Sequence, residues 1–235
     1  MKHIEKHFDD PSVISYESEL REARMDETSL SNPLVHPNSD GPAIYEMVRS
    51  MRTFSDLKNR MYDDQGGICC YCGQKLVFEN HPYQQQYIVE HICPKTMYRT
   101  LAGEYRNLLL SCRMSDEERR PNSYHCDKSK GNHTITYSPI QPDCAIHFDY
   151  DEFGNAKGND EAAKQDCQTL NLNAPSLKKR RAAAIEGVIY DMDGNLLDDE
   201  TLMNIRDSIM LRGVDNSHAE FCFAIYGAIN HLLTR

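Results

Sequence analysis

The chain lacks long apolar runs. No stretch approaches the roughly 18 apolar residues of a membrane span, and the opening Met1-Lys2-His3-Ile4-Glu5-Lys6-His7 has no apolar core of a secretory signal. A soluble, cytoplasmic protein is therefore expected. Positive charge is also short: 26 Lys and Arg stand against 36 Asp and Glu, a formal net charge of -10. A chain that held nucleic acid by itself would carry the opposite balance, because phosphate contacts need Lys and Arg. No internal repeat and no low-complexity tract is found, which sets repeat arrays aside.

What the chain does have is nine cysteines. Without a secretory signal these argue for metal binding or free thiols rather than a disulfide framework. At 235 residues the chain can bury a real core, either as one large domain or as a small catalytic module with helical flanks.

Polar, ligand-type residues concentrate between Cys69 and Asn132. Cys69 and Cys72, three positions apart on a tight turn, point two thiolates at one metal, while Cys70 between them faces away. Cys112 and Cys126 offer a second pair for a tetrahedral structural zinc, with His125 as an alternative fourth ligand; ordinary buried thiols are the competing reading. Val89-Glu90-His91 reads as a strand end, where Glu90 and His91 point to opposite faces unless the backbone bends. His91 suits a general base, since an unperturbed histidine titrates near operating pH. Glu90 and the amide oxygen of Asn132 are hard ligands suited to Mg2+ or Mn2+.

Charge is uneven. Between Gly66 and His133 nine basic residues face seven acidic ones, which leaves this segment near +2 and the flanks near -12. The flanks are expected either to form a solvated surface or to face a protein partner that supplies attraction for the substrate.

Three regions are expected. Residues 1–42 are polar, broken by Pro11, Pro33, Pro37 and Pro42, with one helical stretch from Tyr16 to Asp26; they read as an extended partner-docking arm. Residues 43–135 hold an amphipathic helix carrying Ile44, Met47, Val48, Met51, Phe54, Leu57 and Met61, ended by Gly66-Gly67, and then the motif segment. Residues 136–235 read as short strands around Tyr137, Ile146, Phe148 and Tyr150, with turns at Gly154 and Gly158, followed by helices. One helix runs from Pro175 to about Tyr190, with Leu177, Arg181, Ala184, Ile185 and Val188 on one side. The last opens on a capping box, Ser217-x-x-Glu220, with Phe221, Cys222, Ile225, Ile229 and Leu232 as its buried stripe.

Cys69-x-Tyr71-Cys72, Val89-Glu90-His91, Asn107-Leu108-Leu109 and Cys126-x-x-Ser129-Lys130-Gly131-Asn132 together resemble the HNH endonucleases of the ββα-metal fold. The match is sharper to the PtuB-like branch of Septu and retron-linked antiphage systems. The opening Met-Lys-His-Ile-x-Lys and Leu170-Asn171-Leu172-Asn173 before a basic helix also look like that branch. The resemblance is sharp over about 65 residues and softer elsewhere. It implies an α+β, mostly α fold, with a small zinc-stapled ββα-metal core flanked by helices. It further implies His91 as general base, Asn107 orienting its ring, and Glu90 and Asn132 holding a catalytic Mg2+ or Mn2+. Cys69, Cys72, Cys112 and Cys126 would hold structural Zn2+, and Lys128 or Lys130 would touch the scissile phosphate. The implied partners are an SMC/ABC-type, PtuA-like ATPase, a retron reverse transcriptase with its multicopy DNA, and a nucleic acid substrate.

The sequence departs from that pattern in three places. Thirteen residues separate Cys112 from Cys126, so Arg113 to Tyr124 is an insertion, and its run Asp116 to Arg120 reads as a solvated loop. Asn132 stands where many such nucleases have His, with His133 as a neighbouring substitute. Glu90 stands for the commoner Asp. Two other motifs are set aside. Asp191-Met-Asp193-Gly194-Asn195 mimics a phosphatase motif, but too little chain follows it, and it reads as a turn. The quartet Lys178-Lys179-Arg180-Arg181 reads as a solvated helix face or a phosphate- or partner-contacting patch.

A metal-dependent HNH endonuclease acting on DNA or RNA within an antiphage complex is expected. The alternatives are a non-catalytic zinc adaptor and a specific RNA (tRNA) nuclease using the same residues.

Overall fold

The computed structural model describes residues 1–26, 32–76, 87–113 and 123–235. The protein is α+β and mostly helical, with two small two-stranded sheets. None of its described helices is long and apolar enough to cross a membrane.

The described residues before Gly41 do not stand off as an arm, since Met1, Ile4, Val13, Tyr16 and Leu20 pack into the chain's own core. Helix α1 (Pro11–Met25) starts five residues before the expected Tyr16, because Asp10 caps it by accepting from the Ser12 amide at 2.9 Å and Pro11 occupies its first turn. Its Val13, Tyr16 and Leu20 are fully buried, a burial worth about 1.5–3 kcal/mol for each large apolar side chain. Ahead of it, Met1 and Ile4 are buried, the Ile4 amide donates to the Pro139 carbonyl at 2.7 Å, and Lys6 Nζ donates to the Leu108 carbonyl at 2.6 Å.

The expected helix from Ile44 to Met61 is two helices, α2 (Gly41–Arg49) and α3 (Phe54–Gln65). The break is stabilised from outside. The Glu19 carboxylate of α1 accepts from the amides of Arg52 and Thr53 and from the Thr53 hydroxyl at 2.6–3.1 Å, so it satisfies donors that a continuous helix would have used internally. Gly66 ends α3 with φ of 60°, and a Cβ there would meet the His218 ring at 2.4 Å.

Strands β1 (Tyr87–His91) and β2 (Leu108–Cys112) form an antiparallel pair that places Glu90 opposite Leu109 and His91 opposite Leu108. The outer edge of β2 is covered. Gln65 accepts from the Leu110 amide at 2.6 Å and donates to its carbonyl at 2.8 Å, and the Cys70 amide reaches the same carbonyl at 3.1 Å. A single helical turn, α4 (Asp127–Lys130), follows.

The hairpin β3 (Phe148–Tyr150) and β4 (Ala156–Gly158) turns at Gly154, with φ of 74°. Gly158 belongs to β4 rather than to a turn, and Tyr137 lies outside both strands. Helices α5 (Glu161–Thr169), α6 (Pro175–Ile189), α7 (Asp199–Ile209) and α8 (Cys222–Leu233) complete the chain. A satellite core of Ile185, Ile189, Leu202, Ile225, Ala228 and Ile229 joins α6, α7 and α8. The expected capping box does not form. Ser217 Oγ donates to Asp215, Glu220 accepts from the Lys75 amide at 3.1 Å, and α8 begins only after Phe221. Asp193-Gly194 does form a turn, closed by the Asp191 amide on the Asn195 carbonyl at 2.9 Å.

Candidate metal centre and adjoining polar site

Four segments converge on one point. Cys69 and Cys72 sit on a turn closed by the Cys69 amide on the Gln74 carbonyl at 2.8 Å and the Gly73 amide on the Cys69 carbonyl at 3.1 Å. Cys112 ends β2. Cys126 precedes α4 with φ of 54°, a strained value held by its amide donating to the Leu170 carbonyl at 2.8 Å. Asn171, also at positive φ, donates to the Tyr124 carbonyl at 2.6 Å, so the Leu170–Asn173 segment buttresses the approach to Cys126.

The four Sγ atoms are buried and lie within 4.8 Å of one another. Cys69 to Cys126 is 3.9 Å and Cys72 to Cys112 is 3.7 Å. An ion about 2.3 Å from four tetrahedral thiolates separates the sulfurs by roughly 3.8 Å, so the set fits a closed structural zinc. His125 does not complete the set. Its Nδ1 instead approaches Cys126 Sγ at 3.2 Å and Cys112 Sγ at 3.7 Å, where an N–H donor steadies thiolates. Cys70 is buried and outside the cluster.

Beside the thiolates lies a buried polar site. Glu90, 2 % exposed, accepts on Oε1 from the Tyr71 hydroxyl at 2.7 Å and pairs through the same oxygen with Lys130 Nζ at 2.7 Å. The Asp127 carboxyl lies close enough to Glu90 to act on its titration. Burial, then Asp127, pushes the Glu90 carboxyl up to about 8, against the opposing pull of Lys130. His91 faces the other side, as alternation along a strand requires. Its Nε2 meets the Ala102 carbonyl at 3.0 Å and its ring stands edge-on to Tyr45 at 4.6 Å. Burial, with Lys95 and Lys130 nearby, brings its imidazole down to about 4, so the ring is neutral near pH 7.

Asn107 does not touch the His91 ring through any described hydrogen bond. Its amide accepts from the Cys93 amide at 2.7 Å and donates to the carbonyls of Cys93 and Leu101 at 3.0 and 3.1 Å. It thereby pins both ends of the loop next to Ala102, whose carbonyl holds His91, and so steadies the imidazole through the backbone.

Asn132 and Lys130 land away from their expected places. Asn132 is exposed beyond α4, where its Oδ1 accepts from the Thr96 hydroxyl at 3.0 Å, and the carboxylate brought to Glu90 belongs to Asp127. His133 is likewise exposed. Lys130, 1 % exposed, is turned inward, its ammonium 2.7 Å from Glu90 Oε1 and 2.8 Å from the His91 carbonyl of β1. Lys128 is exposed and lies 5.4 Å from the Tyr124 ring centre. Asp116 to Arg120 lie outside the described residues.

Sequence reasoning missed Asp127. The available cue was its place directly after Cys126 on the first turn of a helix, where a carboxylate is held against the hairpin that carries Glu90.

No protein-family model matches the chain, and no curated protein does either.

Proposed function

We propose that this protein is a metal-dependent endonuclease of the HNH type that hydrolyses phosphodiester bonds. The observation that carries this reading is the placement of Glu90 and His91 side by side in β1, with Asp127 near Glu90, on a hairpin and helical turn stapled by four cysteines. A neutral imidazole donating from Nε2 to the Ala102 carbonyl keeps the Nδ1 lone pair for a water proton, the arrangement of a general base. Asn107 and Tyr45 fix that ring. Glu90 and Asp127 form a hard-oxygen pair suited to Mg2+ or Mn2+. A divalent ion held there supplies charge for the phosphate oxygen and the leaving 3'-oxygen. Zinc at the thiolates fixes the geometry without taking part.

The resemblance carries the remaining expectation: a nuclease subunit in an antiphage complex with an SMC/ABC-type ATPase, accompanied in retron systems by a reverse transcriptase and its multicopy DNA. The acidic flanks agree with a subunit that docks on protein.

His91→Ala is expected to abolish cleavage by the assembled complex while leaving assembly intact; unchanged cleavage overturns the assignment of the base. The adaptor reading draws on one observation, that His91 is only 4 % exposed. Metal analysis with a magnesium-dependent cleavage assay separates the two, since an adaptor holds zinc and cuts nothing. Sequencing the cut nucleic acids from expressing cells distinguishes a DNA substrate from RNA, tRNA included.

A further inference from the structure

We propose that Lys130 is an internal cation that competes with the divalent ion for Glu90, so that the metal binds weakly until a phosphodiester arrives with it. This rests on the metal-dependent reading above and adds to it how the site is regulated.

The geometry is specific. Lys130 reaches back from the end of α4 with its whole side chain buried, and its ammonium sits 2.7 Å from Glu90 Oε1 and 2.8 Å from the His91 carbonyl. An ammonium has three donors and no acceptor, and two of the three are engaged here. A buried lysine is tolerated only when paired, so the contact is a built feature and not a solvated side chain resting on the surface. The same Glu90 oxygen also accepts from Tyr71. An incoming cation therefore meets a carboxylate that already has two partners.

Charge counting gives the consequence. In the metal-bound state, where the ion takes the place of the Glu90 proton, Glu90 and Asp127 with Lys130 supply a net charge of about -1, and ligand charge is what tunes divalent affinity. Adding a divalent ion leaves about +1, which one phosphodiester charge neutralises. Metal and nucleic acid then bind each other's complex more tightly than either binds alone, a reciprocal coupling. Without Lys130 the carboxylates alone match the ion's charge, and the metal no longer needs the phosphate. If Lys130 merely positioned Glu90, its loss would weaken metal binding instead, as losing a ligand's supporting partner does.

The test titrates Mn2+ into the zinc-loaded full chain, following free Mn2+ by electron paramagnetic resonance. Three samples are compared: wild type, Lys130→Met, and wild type with a phosphorothioate oligonucleotide that resists cleavage. Methionine keeps the length of the buried stem. Lys130→Met is expected to bind Mn2+ roughly tenfold more tightly than wild type, and the oligonucleotide to tighten wild-type binding by a similar factor. Equal or weaker binding by a folded Lys130→Met overturns the proposal. If that variant loses its zinc or fails to fold, the oligonucleotide arm decides, and no tightening there overturns it. If wild type takes up no Mn2+ with or without oligonucleotide, the metal-dependent reading itself fails, and this inference with it.

Discussion

Arg181 is a fully buried charge with no carboxylate paired with it among the described residues. Its guanidinium donates to the Gly154 carbonyl and to the Leu172 carbonyl at 2.8 Å each, and lies 5.3 Å from the Tyr150 ring centre. A planar fork serves two carbonyls and a ring at once, which a point-charge ammonium does not. Arg181→Lys is therefore expected to destabilise the protein by about 2–4 kcal/mol, the cost of leaving buried carbonyls unsatisfied. The check is the denaturant midpoint at unchanged m-value; a shift within error would show that the fork is dispensable. Helical spacing puts Arg181 of the basic quartet on the side of Leu177, Ala184, Ile185 and Val188, and Leu177 and Ile185 are buried with it. Lys130 and Asp127 were hidden, because a single helical turn offers no such stripe, whereas Cys69, Cys72, Cys112, Cys126, Glu90 and His91 were legible because their chemistry is unusual in a core.

The thiolate site acts at the scale of elements. α4 is one turn long, too short to be stable by itself, and its position depends on Cys126 at its start and on the Leu170 carbonyl behind it. Removing zinc is expected to release α4 and with it the contacts of Asp127 and Lys130 to Glu90, so divalent binding should be lost along with a large fall in thermal stability. Stoichiometry of one zinc per chain, and loss of Mn2+ uptake after chelation, are the measurements. Retained uptake in the zinc-free chain would show that the polar site holds its shape unaided. Helix existence was readable from periodicity in α2, α3 and α6, as were both ends of α6 and the stop of α3 at Gly66, but the break between α2 and α3 and the start of α8 were not. Glu19 lies 34 residues before Thr53 and splits one expected helix into two, while Ser217 and Glu220 are drawn to Asp215 and Lys75 in place of capping α8. The split and the loss of Glu220 to Lys75 are set by residues distant in sequence, which no local pattern carries, whereas Asp215 takes Ser217 from two residues away.

At the scale of the whole molecule, the first residues are not an appendage, since Met1, Ile4 and α1 share a core with β2 and the start of α8. Buried histidines tie the stability of that core to pH. Burial brings His218 and His91 each down to about 4, and at His218 the neighbouring Lys2, Arg212 and Lys75 add to the effect while the Met210 backbone opposes it. A histidine with a folded pKa below its unfolded value of roughly 6.5 binds fewer protons when folded, so its contribution is complete above that value. It is lost as pH falls from about 6.5 toward 4, and is flat below. Glu90, raised to about 8, runs the other way and favours folding as pH drops toward its unfolded value. Only His218 lies clear of the metal and polar sites, so it isolates the histidine effect. His218→Leu should make the fall in stability between pH 6 and 5 shallower by up to about 1.4 kcal/mol per pH unit, the slope of one proton. Urea midpoints of the zinc-loaded chain at pH 5, 6 and 7.5 measure it, and parallel curves for variant and wild type would exclude His218 as a source of the acid sensitivity.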